Sequence, residues 1–335
     1  MAEVKVREVM PGRDALSVDP HETMTSYRIH EFGAAPQEDR LPLPQIGPRE
    51  VLVRIFASVI SHHDLTVAGG QFTVRPPLPY VPGLEGAGRV VLVGAEVDPG
   101  LFSVGLAVRV YGGGLGATRP GTWAEYAAVP VSAVTAVPEE LDLGVAAACG
   151  SAAGTAWSAL FDRGGLQPTD RVGVTGAFGA VGSLVLQLAA EEGVRSRVGW
   201  VRSTTRIAAV PPGMEVVVDD GPTEPVDLLV DTVGGPLLSR RLGSVRPGGR
   251  AVLIGYTAGE QVCLSIPDLL ALDVSLLPLN MMRRRVPKDV ASSLLARFAD
   301  GRLHVAVEDI SRGGLIGAIG RLRNGMASGR MVLRW

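Results

Sequence analysis

The chain has 335 residues, 46% of them hydrophobic and 20% charged, with a formal net charge of −2. That length suits two domains and a sizeable core, the composition excludes a disordered chain, and the near-neutral balance gives no general attraction to nucleic acid or to an anionic membrane. Two cysteines, Cys149 and Cys263, exclude a disulfide framework and a four-cysteine zinc lobe, and a mean hydropathy of +0.25 comes without an uninterrupted apolar run of membrane-spanning length.

Met1–Thr23 is charged, lacks the apolar stretch of a secretory signal and reads as a flexible extension, which makes the cytoplasm the expected compartment. A first strand is expected from Met24. Val51–Ala57, Gly88–Gly94, Leu106–Tyr111 and Trp123–Val129 alternate as short strands between Gly and Pro clusters such as Arg75–Gly83, the pattern of an irregular antiparallel domain. Val145–Leu160 is Ala-rich and predicted helical. Strands are then expected at Arg171–Thr175, Arg197–Val201, Glu215–Val218, Asp227–Asp231, Arg250–Ile254 and Val274–Leu277. Helices alternate with them. In the first, Val181, Leu184, Val185 and Leu188 share one face. That alternation predicts a parallel, doubly wound α/β sheet. Beyond Met282 it stops, and Val290–Phe298, Leu315–Gly325 and Met331–Trp335 are expected to rejoin the first domain. The division is therefore an extension at 1–23, a β-rich domain at 24–147 with 283–335, and a dinucleotide-binding domain at 148–282.

Gly176, Gly179 and Gly182 follow one of these strands and open its helix, in the spacing G-x-x-G-x-x-G. A tight turn that brings backbone and a positive helix end close to an anion is how such folds seat a pyrophosphate, so Gly176, Phe178, Gly179, Ala180, Val181 and Gly182 are candidate cofactor contacts. An NAD-binding chain places an acid about 20 residues on, for the ribose hydroxyl. Gly199–Arg206 has none and offers Arg202, Ser203, Thr204, Thr205 and Arg206 instead, donors suited to a 2′-phosphate, which favours NADPH. Val233, Ile254, Gly255 and Tyr256 follow later strand ends and should border the same crevice.

In order and spacing, Ala57–Leu65, Pro82–Val90, Gly121–Tyr126, Gly154–Trp157, the glycine turn, Val226–Gly235 and Ser328–Leu333 make the chain resemble the medium-chain dehydrogenase/reductase superfamily from about Met24 to Trp335. The resemblance implies a GroES-like catalytic domain split around a Rossmann domain, with nicotinamide and substrate meeting between them. Zinc-dependent members carry Cys where this chain has Ser61 and His where it has Leu84. Cys149 alone cannot supply the roughly three protein ligands of a catalytic zinc, so the resemblance is to the zinc-independent quinone-oxidoreductase and enoyl-reductase branch, with no metal expected. That branch implies hydride transfer to an enone or quinone substrate. A Tyr found in some relatives is matched here by Phe72. His63 is then the first candidate proton donor, Ser61 a candidate donor to the substrate carbonyl and His62 a candidate pyrophosphate contact, while Asp64 and Tyr80 read as structural. The resemblance further implies Thr155 near the nicotinamide, Asn280 and Met281 near its carboxamide, Arg330 assisting the phosphates, and a homodimer paired through an edge strand at Ala271–Pro278. Two alternatives stay open: a metal-independent ketone or alcohol oxidoreductase such as a tailoring ketoreductase, and a non-catalytic, crystallin-like dinucleotide binder.

Overall fold

The computed structural model describes residues 22–202, 210, 212–218 and 221–335. Strands β1 (Thr23–Arg28) and β2 (Gln37–Pro42) form an antiparallel ribbon. β3 (Glu50–Ile60), helix α1 (His62–Ala68), β4 (Glu85–Val93), β5 (Ala107–Tyr111), β6 (Tyr126–Pro130) and β7 (Val134–Ala136) follow. Helix α2 (Leu143–Trp157) continues as a π-helical turn over Ser158–Arg163. Then come β8 (Val172–Thr175), α3 (Ala180–Glu191), β9 (Arg197–Val201), β10 (Met214–Val218), β11 (Val226–Asp231), α4 (Gly235–Leu242), β12 (Val245–Leu253), α5 (Ile266–Leu272) and β13 (Ser275–Pro278). The chain ends with α6 (Lys288–Ala299), β14 (Val307–Ile310), α7 (Leu315–Arg323) and β15 (Arg330–Arg334).

One sheet has the order β14-β15-β3-β4-β5-β7, with β6 also on β3, so the last strands of the chain pair with its first long one. The other has the order β10-β9-β8-β11-β12-β13 and is parallel throughout. Counted from β8, that is the 3-2-1-4-5-6 order of a doubly wound dinucleotide-binding sheet, whose strand order reverses between β8 and β11. Its central strands are buried on both faces, which is why they read as continuous Val and Leu runs rather than as alternation.

Helix α2 joins the two sheets. It packs against β3, β4, β5 and β15 on one side and against α3 on another. Ala146, Ala147, Ala148, Cys149, Ala152, Ala153 and Ala156 are all buried, and side chains this small let a helix approach neighbours all round it. The segment Leu143–Arg163 is long and apolar enough to cross a bilayer by length and composition, and its most apolar 18-residue stretch is 72% buried inside the protein.

Several strand boundaries differ from expectation: β3 runs on to Ile60 and β4 begins at Glu85, ahead of Gly88. Trp123 lies before β6, not in it: its indole nitrogen donates to the Val59 carbonyl at 2.9 Å, and the ring is fully buried. β12 starts at Val245 rather than Arg250, because Val245 pairs with Val226 and the ladder resumes at Arg250 with Leu228 across a bulge at Pro247-Gly248-Gly249.

Candidate active site

In an open parallel sheet a ligand crevice lies outside the carboxyl ends of the strands, where their order reverses. At that point β8 ends in Thr175 and β11 in Asp231. The Thr175 hydroxyl donates to Asp231 Oδ1 at 2.6 Å, and the Gly234 amide donates to Oδ2 at 2.8 Å. The Thr232 amide donates to Thr175 Oγ1 at 3.0 Å, and the Thr232 hydroxyl to the Thr175 carbonyl at 2.7 Å. This network clamps the two strand ends together. Burial raises the Asp231 carboxyl above its ordinary range, against the hydrogen bonds from Thr175, Gly234 and Val233. Neither Thr175 nor Asp231 stood out in the sequence; the available signal was a polar residue closing each of two apolar strands.

The glycine turn is seated on this clamp. Gly176 has φ +65°, and a Cβ there would stand 2.5 Å from Thr232 Oγ1 and 3.0 Å from Val233 Cγ1. A Cβ on Gly182 would stand 2.3 Å from the Gly176 carbonyl oxygen, so only glycine lets α3 pack this close to the turn. Gly179 is the N-cap of α3 and provides no side-chain cap, so the amides of Ala180, Val181 and Gly182 face outward from the helix end. Phe178 stands exposed on the turn. A buried strand end, a positive-φ glycine and an uncapped helix N-terminus together make an anion cradle.

The other candidates after strand ends fall along the same edge. Val233 touches the turn, the Ile254 amide donates to the Asp231 carbonyl at 2.9 Å, and Gly255 is pressed onto the Thr232 carbonyl. Tyr256 is exposed. Arg202 is exposed just beyond β9, its Nη2 3.2 Å from where a Cβ on Gly325 would stand. Ser203, Thr204, Thr205 and Arg206 lie outside the described residues. Beyond β13, Asn280 Oδ1 accepts from the Met282 amide at 2.9 Å, and Met281 packs on the core. Thr155 is half-buried on α2.

In the other sheet's domain, Ser61 begins α1 as its N-cap. The Asp64 amide donates to Ser61 Oγ at 3.3 Å and the Ser61 amide to Asp64 Oδ2 at 2.9 Å, a reciprocal capping box. The Ser61 hydroxyl donates to Asp64 Oδ2 at 2.6 Å. Its one proton is therefore committed, and the expectation that Ser61 donates to a substrate carbonyl does not fit this geometry. Asp64 is buried, also accepts the Leu84 amide at 3.0 Å, and has its carboxyl raised by desolvation. It orders the loop, as expected.

His62 and His63 are successive residues of a helix, not of a strand or loop, and so diverge by roughly 100°. His63 is half-buried, its ring edge-on to Phe72 at 4.8 Å and 77°. His62 is at the surface, yet desolvation by surrounding protein, and next the positive charge of Arg330, hold its imidazole below the ordinary range. Tyr80 is buried with Ile29, Val67 and Ala68, and desolvation raises its phenol, with Asp64 adding to the effect.

Arg330 also departs from expectation. Its guanidinium pairs with the buried Glu85, donates to Ser151 Oγ at 3.0 Å and to the Ala148 carbonyl at 3.2 Å, while Ser151 donates to Glu85 through its hydroxyl at 2.7 Å and its amide at 3.0 Å. It is held by these groups rather than left free for phosphate, and acts on the site through its charge at His62. Sequence reading missed Glu85 and Ser151, because Glu85 and Arg330 are 245 residues apart. For a metal, the donors match poorly: Ser61 is engaged by Asp64, Leu84 has no ligand atom, and Cys149 is buried among the alanines of α2 with its thiol on the Ala146 carbonyl. Among the described residues no three His, Cys, Asp or Glu side chains gather as a metal group.

Residues 47–139 match the alcohol dehydrogenase GroES-like domain family. The chain is 28% identical over 277 residues to an alcohol dehydrogenase of Rhizobium meliloti, spanning 73% of this chain and 81% of that protein. It is 30% identical over 262 residues to a probable quinone oxidoreductase of Schizosaccharomyces pombe, spanning 75% and 73%. The crystal structure of AibC superposes with a TM-score of 0.83 over 93% of this chain and 96% of that one, at 25% identity. A split GroES-like sheet around a 3-2-1-4-5-6 parallel sheet, shared along this length, makes the chain a member of the medium-chain dehydrogenase/reductase superfamily.

Proposed function

We propose that the chain is an NADPH-dependent, metal-independent reductase that delivers hydride to the activated C=C of an enone or to a quinone. The observation that carries this reading is the anion cradle formed by Gly176–Gly182 at the switch point, where the lack of a Cβ on Gly176 and Gly182 lets the turn seat on β11 and the uncapped end of α3 close onto it. The residues fit a nicotinamide dinucleotide: the amides of α3 would hold the diphosphate, and Val233, Ile254, Gly255 and Thr155 would flank the rest. The preference for the phosphorylated form rests on Arg202 and on the run of hydroxyls and Arg206 after it, with no acid among them. The poor metal donor set supports chemistry without a Lewis acid, and relatives named as quinone oxidoreductases favour this substrate class. The free thiol of Cys263 suits a reducing cytoplasm.

When bound, the nicotinamide supplies hydride to the β-carbon of the enone. The protein must then manage the negative charge that moves onto the carbonyl oxygen and the proton that completes the reaction at the α-carbon. With the Ser61 hydroxyl engaged by Asp64, His63 is the donor this loop offers, its ring edge-on to Phe72. Arg330 adds positive charge beside His62, whose imidazole desolvation holds below its ordinary range. A panel of quinones, enones and ketones, followed by loss of NADPH or NADH with and without a chelator, tests the reading. Enone or quinone reduction that prefers NADPH and survives chelation supports it; reduction of ketones alone would favour the ketoreductase alternative.

A further inference from the structure

The segment at 280–286 leaves β13 and crosses to α2. At its start, Pro278, Asn280, Arg283 and Arg284 line an open hollow of about 580 Å³. At its end, Val286 Cγ2 lies 3.0 Å from where a Cβ on Gly154 would stand, one residue from Thr155. Asn280, which the resemblance places near the nicotinamide carboxamide, itself lines this hollow. Its wall is preformed, since the Met282 amide donates to Asn280 Oδ1 at 2.9 Å and the Arg283 amide to the Asn280 carbonyl at 3.1 Å.

The charge around it is one-sided. Arg283, Arg284 and Arg285 are consecutive, and Arg163 joins them by donating from Nε to the Pro278 carbonyl at 3.2 Å. Against these, the described residues provide one ion pair, Arg284 with Asp162 at 2.6 Å. Arg283 and Arg285 are exposed and have no ion pair among the described residues. The chain as a whole is slightly acidic, so this excess is local. Guanidinium forks concentrated in a concavity recognise carboxylate or phosphate and raise the local concentration of anions.

We propose that this hollow binds an anionic group, carboxylate or phosphate, on the substrate itself, with Arg283 as the specificity-determining residue. The inference rests on the reductase reading above and narrows its substrate class to acidic enones or quinones. It is tested with NADPH and three matched enones, one bearing a carboxylate, one its methyl ester and one a phosphate, on wild type and Arg283→Gln. At low ionic strength kcat/KM should be at least tenfold higher for one or both anions than for the ester, mainly through KM. In Arg283→Gln the anion-to-ester ratio should fall toward one. Which anion gains more identifies the group. An ester reduced as well as both anions by wild type, or a ratio unchanged in Arg283→Gln, overturns the proposal; so does loss of a dimer in the variant with the ratio unchanged, which would assign the arginines to a subunit interface. If none of the three is reduced, the reductase reading fails, and calorimetry with the saturated carboxylate decides the subsite separately: binding weakened in Arg283→Gln sustains it, and no binding to wild type overturns it.

Discussion

The two histidines at the start of α1 carry different expectations that single substitutions separate. His63→Ala should lower enone turnover by about 10²–10⁴-fold, the usual worth of a positioned general acid, with NADPH affinity little changed. His62 has a depressed pKa in the folded protein, so it contributes stability that is present above its unfolded value near 6.5 and lost as pH falls through the lower folded value. His62→Gln should flatten stability against pH in that window, read from urea midpoints. An anion bound beside His62 would raise its pKa, so NADPH binding near pH 6 should take up protons, seen as a buffer-dependent calorimetric heat that shrinks in His62→Gln. Ser61→Ala should cost about 0.5–2 kcal/mol of stability, as loss of an N-cap does, and should not remove a contact to substrate. The sequence offered Ser61 as a donor to substrate and Asp64 as a structural residue; the reciprocal cap that ties them, and the direction of the hydroxyl proton, emerged only from the fold. Arg330 was legible as a conspicuous cation, but its commitment to Glu85 depends on a pairing between distant strands.

At the scale of elements, the parallel strands were readable because burial on both faces demands apolar runs, and the glycine turn because its spacing is tied to a strand before and a helix after. The clamp under the turn was not, since a threonine and an aspartate at strand ends look like ordinary loop residues until the sheet sets them side by side. Gly182→Ala should improve helix propensity by roughly 1 kcal/mol in isolation. Here its Cβ would meet a backbone oxygen at 2.3 Å, which cannot swing aside as a side chain could. We expect NADPH affinity to fall at least tenfold by calorimetry, and unchanged affinity would detach the turn from cofactor binding. Ala153→Leu in α2 should destabilise the protein by about 1–3 kcal/mol, because the helix is packed against neighbours on several sides with no room for added carbons.

Over the whole molecule, the chain's return to its first sheet was legible only as a break in the helix–strand alternation; the order of the strands emerged from the fold. β13 forms one edge of the parallel sheet, with Leu270 and Ile266 of the preceding helix exposed beside it. An uncovered edge of this kind invites pairing. We expect a homodimer through β13, so light scattering should give twice the 35.0 kDa chain mass, and a concentration-independent monomer would refute it. The crevice between the two sheets is expected to pass hydride from NADPH to an activated acceptor without a metal. A single-turnover reaction checks this, with NADPH deuterated at the transferable nicotinamide position, an enone acceptor and excess chelator. One equivalent of NADPH should be consumed and deuterium should appear on the β-carbon of the product, at a rate the chelator leaves unchanged. No label in the product, or a reaction stopped by the chelator and restored by zinc, would contradict it.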